Sequence, residues 1–205
     1  MAERIYHYPL WIRLWHLANA LFCLVLIVSG LSMQFSEPNR TLIRFDIAVT
    51  IHNSAALLFV INYLFFVITN RLTGNSRFYK FPRKNYVSNL SVQFRYYTYG
   101  IFRGQKAPFP VNHKRKFNPL QHFSYIIVMY VLIPVITITG CGLFFPGIVI
   151  FKVFGISGLF LTDLIHILAG FIISMFLIVH IYFCMLGTSI FTSFRSMING
   201  WVEVH

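Results

Sequence analysis

The chain has 205 residues, of which 57% are apolar and only 11% charged, and its formal net charge is +12. Soluble domains carry about 25% charged residues, and a compact fold of this length could not hide so much apolar surface from water. An ordinary soluble domain is thereby excluded, and a lipid bilayer is the solvent that fits. The positive charge does not indicate nucleic acid, because the basic residues flank the apolar runs, where attraction to anionic headgroups accounts for them.

Four apolar runs follow in chain order, at about 14–34, 48–69, 122–144 and 160–186. Each holds the ~20 residues that cross a hydrocarbon core as an α-helix. The expected fold is all-α, one membrane-embedded four-helix bundle spanning 1–205. The first run is too long for a secretory signal, and no small-residue cleavage site follows Gly30, so it reads as a retained helix. The connection at 35–47 balances Arg40 and Arg44 against Glu37 and Asp46. The connection at about 70–118 holds 11 of the 17 basic residues, among them Arg77, Arg83, Lys114 and Lys116. Basic loops stay cytoplasmic, which places this loop and, with four spans, both termini inside. Within it, 86–103 mixes aromatics with Arg95 and fits an interfacial helix on the inner leaflet. Pro134 predicts a kink in the third helix. The last connection, 145–159, is very apolar for a loop, which suggests burial against another chain or a dip into the interface.

Cys23, Cys141 and Cys184 stand singly in apolar runs and read as inert packing residues. No C-x-x-C-H motif is present, which excludes covalent c-type haem, and no C-x-x-C pair supports a cluster or a structural zinc. No internal repeat or low-complexity segment is evident.

Ionisable groups inside a membrane are costly and default to function. Four of the eight histidines fall in the spans. His16 starts helix one near the inner face, and His52 starts helix two near the outer face. His166 and His180 lie near the start and end of helix four, fourteen residues or ~21 Å apart, within ~40° of the same face. They sort into two levels: His16 with His180 inside, His52 with His166 outside. Opposed imidazoles across a bundle interior suit axial ligation of a haem iron at each level. A proton relay would want carboxylates or lysines that the spans lack, and zinc would need three or four ligands at one depth. Arg13, one turn before His16, could pair with a haem propionate or simply anchor the helix at the interface. Gly30 and Gly140 could make room for a porphyrin at the outer level or serve helix packing alone. His7, His113 and His205 lie in the termini or the basic loop and are expected to be solvated or at a contact.

The stretches WIRLWHLANA…LIVSGL, IHN, FNPLQHFSY, LIHILAGFIISMFLIVHIYFCMLG and SMINGWVE resemble the bacterial di-haem cytochrome b subunits. These include the membrane subunits of nickel–iron hydrogenase, formate dehydrogenase-N and thiosulfate reductase. The resemblance covers nearly the whole chain, with 70–110 matching loosely. It implies two haem b groups held by His16, His180, His52 and His166 as metal ligands. It also implies a quinone pocket beside the inner haem, with the quinone (menaquinone or ubiquinone) touching Asn118 and Leu120. Asn118 also reads as a helix-start residue before Pro119. His122, one turn further on, could relay the quinone proton or be a plain interfacial histidine.

The expected function is a di-haem cytochrome b subunit of the bacterial inner membrane. It would pass electrons between quinone and a periplasmic iron–sulfur or multihaem partner subunit. The alternatives are a stand-alone di-haem cytochrome that exchanges electrons with a small oxidant such as superoxide, and a haem-free membrane anchor or assembly protein.

Overall fold

The computed structural model describes residues 3–37, 42–81, 84–113, 115–186 and 191–204; Arg40, Arg83, Lys114 and His205 lie outside them. Four helices are long and apolar enough to cross a membrane: α1 Leu10–Gln34, α2 Phe45–Leu72, α4 Pro119–Phe144 and α5 Gly158–Met185. Between α2 and α4 runs α3, Tyr86–Arg95, which continues through a π turn at Tyr96–Gly100 and a 3-10 turn at Ile101–Arg103. A short α6, Thr192–Asn199, follows α5. The strands are β1 Glu3–Tyr6, β2 Lys152–Val153, β3 Ile156–Ser157 and β4 Trp201–Val204.

All four spans begin two to four residues before their apolar runs because entry residues need not be apolar. Asn118 shows this most clearly. Its Oδ1 accepts from the Gln121 backbone N at 2.9 Å while Gln121 Oε1 accepts from the Asn118 backbone N at 3.1 Å, a reciprocal cap with Pro119 at the first helical position. Leucines such as Leu17, Leu57 and Leu168 point outward, as they must where lipid is the solvent. The interior is aromatic. Trp15 stacks on Phe66 with ring centres 4.3 Å apart, and Phe59, Val128, Met129 and Ile133 complete the core.

The expected kink at Pro134 takes the form of a π turn at Val128–Leu132, ending two residues before it. Proline lacks an N–H and its ring crowds the carbonyl four residues earlier. Widening the preceding turn relieves both problems.

β1 pairs antiparallel with β4, Tyr6 opposite Trp201, so both ends of the described chain meet at one end of the bundle. Gly200, at φ 87°, makes the turn from α6 into β4; a Cβ there would stand 2.6 Å from the Tyr8 carbonyl oxygen. The middle loop closes over the same end. His7 Nε2 reaches the Asn112 carbonyl at 3.1 Å. The sequence reading of His7 as solvated is therefore corrected: it is 8% exposed, because the terminal ribbon covers it. Cys141 departs from the packing role as well, since it faces outward.

Lys116 is the most buried cation described, at 4% exposure. Its Nζ donates to Asn75 Oδ1 at 3.2 Å and lies 4.8 Å above the centre of the Tyr8 ring. Asn75 donates in turn to Asn70 Oδ1, and Asn70 to the Tyr130 hydroxyl, so the loop is tied to α2 and α4 by a buried polar chain. At the other end, β2 and β3 form a small hairpin whose turn, Phe154–Gly155, has positive φ at both positions. Phe151 and Phe154 stand fully out from it.

Burial first, then the Arg77 charge, pushes the Lys116 amine down to about 8 from 10.5. Between those values the unfolded chain binds more protons than the folded one, so stability must rise with pH. The cost of the buried charge, about 3 kcal/mol, is complete below the folded value and gone above the unfolded one. Wild type should therefore gain thermal stability relative to Lys116→Met as pH rises from 8 to 10.5. A difference between the two proteins that stays flat over this range would contradict the assignment.

Candidate dihistidine sites

The described residues bring the four span histidines together in two pairs. His16 on α1 faces His180 on α5, with ring centres 6.1 Å apart and planes at 52°. His52 on α2 faces His166 on α5, at 6.3 Å and 69°. Each ring is half-buried. Among the described residues no group of three or more His, Cys, Asp or Glu side chains converges, so each level offers two imidazoles and nothing that would complete a tetrahedral zinc site.

The spacing fits a shared metal atom. A metal–imidazole bond of about 2.0–2.1 Å, extended by the roughly 1.1 Å from ring nitrogen to ring centre, puts two axial imidazoles about 6.2 Å apart. Both pairs lie within a tenth or so of an ångström of that value. Two neutral imidazoles with that gap match the axial ligand set of a b-type haem.

The surroundings differ between levels. At the inner level Phe176 stacks on His180, ring centres 5.6 Å apart, and Trp15 meets His16 edge-on. At the outer level each ring has a hydroxyl beside Nδ1: Ser29 Oγ at 2.9 Å from His52 and Thr139 Oγ1 at 3.0 Å from His166. Gly30 and Gly140 follow those hydroxyl residues directly. Cβ atoms at these positions would stand 3.5 Å from His52 Cε1 and 3.2 Å from His166 Cε1. The glycines thus let the rings lie against the neighbouring helix backbones.

Arg13 donates to the Ile198 carbonyl and so ties α1 to α6. Its Nε is buried with no partner. An orphaned guanidinium N–H one turn from His16 is suited to an incoming carboxylate.

Beside His180 a narrow crevice opens, walled by Tyr97, Leu120, Tyr125, Phe183 and Cys184. Leu120 is part of its wall. Asn118 does not line the crevice; its Nδ2 donates to the Tyr97 hydroxyl at 2.9 Å. His122 is also away from the crevice wall, with Nδ1 3.0 Å from the Tyr86 hydroxyl and its ring edge-on to Phe81. Tyr97 was not singled out from the sequence. Burial raises its phenol above the ordinary range, so it remains a neutral donor at physiological pH. The only signal for it was the aromatic run YYTYG, and the π turn there breaks the helical period that would have shown which ring points inward. A larger cavity, about 330 Å³, lies between the N-terminal segment and the turn after α2, with His7, Trp11, Arg77 and His113 among its walls; none of the four paired histidines lines it.

Comparison with known proteins agrees with this architecture. Residues 7–200 match the family described as prokaryotic cytochrome b561. The chain is 34% identical over 199 residues to "Putative cytochrome YdhU" of Escherichia coli (strain K12), covering 97% of this chain and 75% of that protein. No solved structure matches it. A haem-free anchor is thereby set aside. The chain belongs to the prokaryotic cytochrome b561 family: it is a multi-pass protein of the bacterial inner membrane that binds haem b and carries electrons.

Proposed function

We propose that this chain holds two b haems and links the quinone pool to a redox partner subunit on the opposite face. His16 and His180 hold one group, and His52 and His166 the other. The carrying observation is the pair of imidazole gaps, 6.1 and 6.3 Å, at two ends of one helix. The haems supply one-electron chemistry at each level; the chain supplies spacing, ligand orientation and a dry interior.

The crevice beside His180 is the proposed quinone site. Its walls are apolar apart from a few directed groups, as small-molecule sites generally are. The Tyr97 hydroxyl accepts from Asn118 and keeps its own proton to offer a quinone carbonyl. Asn118 therefore acts through Tyr97, holding the hydroxyl in place. Leu120, part of the crevice wall, would pack against a bound quinone. His122 would carry the quinone proton onward through Tyr86.

The positive-inside bias of the middle loop supports a cytoplasmic side for the crevice, the terminal ribbon and both ends of the described chain. The hairpin with Phe151 and Phe154 then faces outside beside the His52–His166 level. Exposed aromatics of this kind suit a protein contact, and a periplasmic iron–sulfur or multihaem subunit is the proposed partner.

His180→Ala and His52→Ala should each lower a pyridine haemochrome count from two haems per chain to one, whereas two haems in either variant would exclude the pairing. Tyr97→Phe should keep both haems while quinol-driven haem reduction slows about tenfold, the worth of one hydrogen bond. Asn118→Ala should weaken the same step with haem content unchanged. Native kinetics in both variants would remove the crevice from the reaction. Purified chain that oxidises quinol with a small oxidant, with no second subunit, would rule out the partner.

A further inference from the structure

The outer histidines are each held by the same device. Ser29 and Thr139 come from different helices, α1 and α4, and each precedes a glycine. Ser29 Oγ lies 2.7 Å from the Val25 carbonyl oxygen and 2.9 Å from His52 Nδ1. Thr139 Oγ1 lies 2.8 Å from the Val135 carbonyl oxygen and 3.0 Å from His166 Nδ1. A hydroxyl has one proton and a carbonyl oxygen can only accept. Each oxygen stands closer to the carbonyl of its own helix than to the ring nitrogen, so the hydroxyl proton is assigned to the helix and a lone pair faces the histidine. Nδ1 must then carry the ring proton, and Nε2 is the atom with a free lone pair.

The inner level lacks this device. Among the described residues no hydroxyl contacts the His16 ring, and His180 has only a long contact from Nε2 to Cys184 Sγ at 3.9 Å. The two levels thus share a ligand type and differ in what stands behind the ligand.

We propose that Ser29 and Thr139 are positioning residues for the outer haem: they fix the Nδ1–H tautomers of His52 and His166, leaving Nε2 free to ligate, and hold that haem at a lower potential than it would have with unsupported imidazoles. An acceptor behind Nδ1–H makes the imidazole a stronger donor, and a stronger donor stabilises the ferric iron. Gly140 adds to the device by leaving room for the His166 ring, whose Cε1 a Cβ there would crowd at 3.2 Å; at Gly30 a Cβ would meet His52 at an ordinary 3.5 Å. The inference rests on His52 and His166 being the outer pair.

The test uses Ser29→Ala, Thr139→Val and the double variant in purified holoprotein, with haem count and a spectroelectrochemical titration. The outer haem is identified as the one missing from His52→Ala. Two haems should remain, and the outer midpoint should rise while the inner one stays. The expected size is about a tenfold gain in the ferrous-to-ferric ratio at fixed potential, or about 59 mV for one electron. Thr139→Ser, which keeps the hydroxyl, should restore the native midpoint. Two haems with both midpoints unmoved would overturn the proposal. So would a shift confined to the inner haem, or haem loss in Thr139→Val that Thr139→Ser fails to repair. Two haems persisting in both His52→Ala and His166→Ala would instead sink the outer-pair reading itself, and is read separately by the haem count.

Discussion

Hydrocarbon offers no hydrogen bonds, so every polar group carried into a span must find its partner within the chain. That constraint organises the molecule. Serines and threonines in the spans turn their protons back onto carbonyls one turn earlier, as Ser29, Ser124, Thr139 and Ser174 do. Ser32 both donates to and accepts from the Ile43 backbone, which pins the connection before α2 against α1. The polar side chains left without a protein partner are then informative. Among the described residues they include Arg13 Nε, Asn19 Oδ1 and Trp15 Nε1, all on the α1 turns around His16. Three of the five such atoms among the described residues thus lie near where the inner prosthetic group is proposed to sit, the other two being Gln93 Oε1 and Thr137 Oγ1.

The two ends of the bundle solve different problems. The crevice end is closed by non-local contacts: a two-stranded ribbon, the His7–Asn112 bond and the buried run from Lys116 to Tyr130. These hold the basic loop, with α3 inside it, against the helix ends, and Asn118 fixes the Tyr97 hydroxyl. The other end has short connections and leaves aromatic side chains uncovered. One end is closed over and holds the crevice beside His180; the other leaves Phe151 and Phe154 exposed.

Much of this was legible in the sequence because helices write their faces with a period of 3.6 residues. The four spans, the helix start at Asn118 and the fourteen-residue interval between His166 and His180 all follow from local pattern, and the pairing of levels follows from counting spans. What stayed hidden was what pattern does not encode. Ser29 and Thr139 look like ordinary small packing residues until a ring nitrogen from another helix is seen beside each. Lys116 sits in a basic run, where a solvated cation is the natural reading, and only the fold of the loop buries it. The ribbon joins residues nearly two hundred positions apart in strands too short to show alternation. Tyr97 lies where the helical period breaks.

The π turn in α4 carries a last consequence. An α-helix advances about 100° per residue, and a widened turn absorbs one residue beyond the regular count. The segment before Val128 and the segment after Leu132 therefore keep separate angular settings on one continuous rod. The first aims Leu120 and Tyr125 at the crevice; the second aims Thr139 and Gly140 at His166. Forcing the same residues into a regular helix, with none removed, would swing everything beyond the turn by about a quarter of a revolution. The hydroxyl and the glycine would leave His166 together, so the two halves of the bundle stay aligned by one surplus residue at its midpoint.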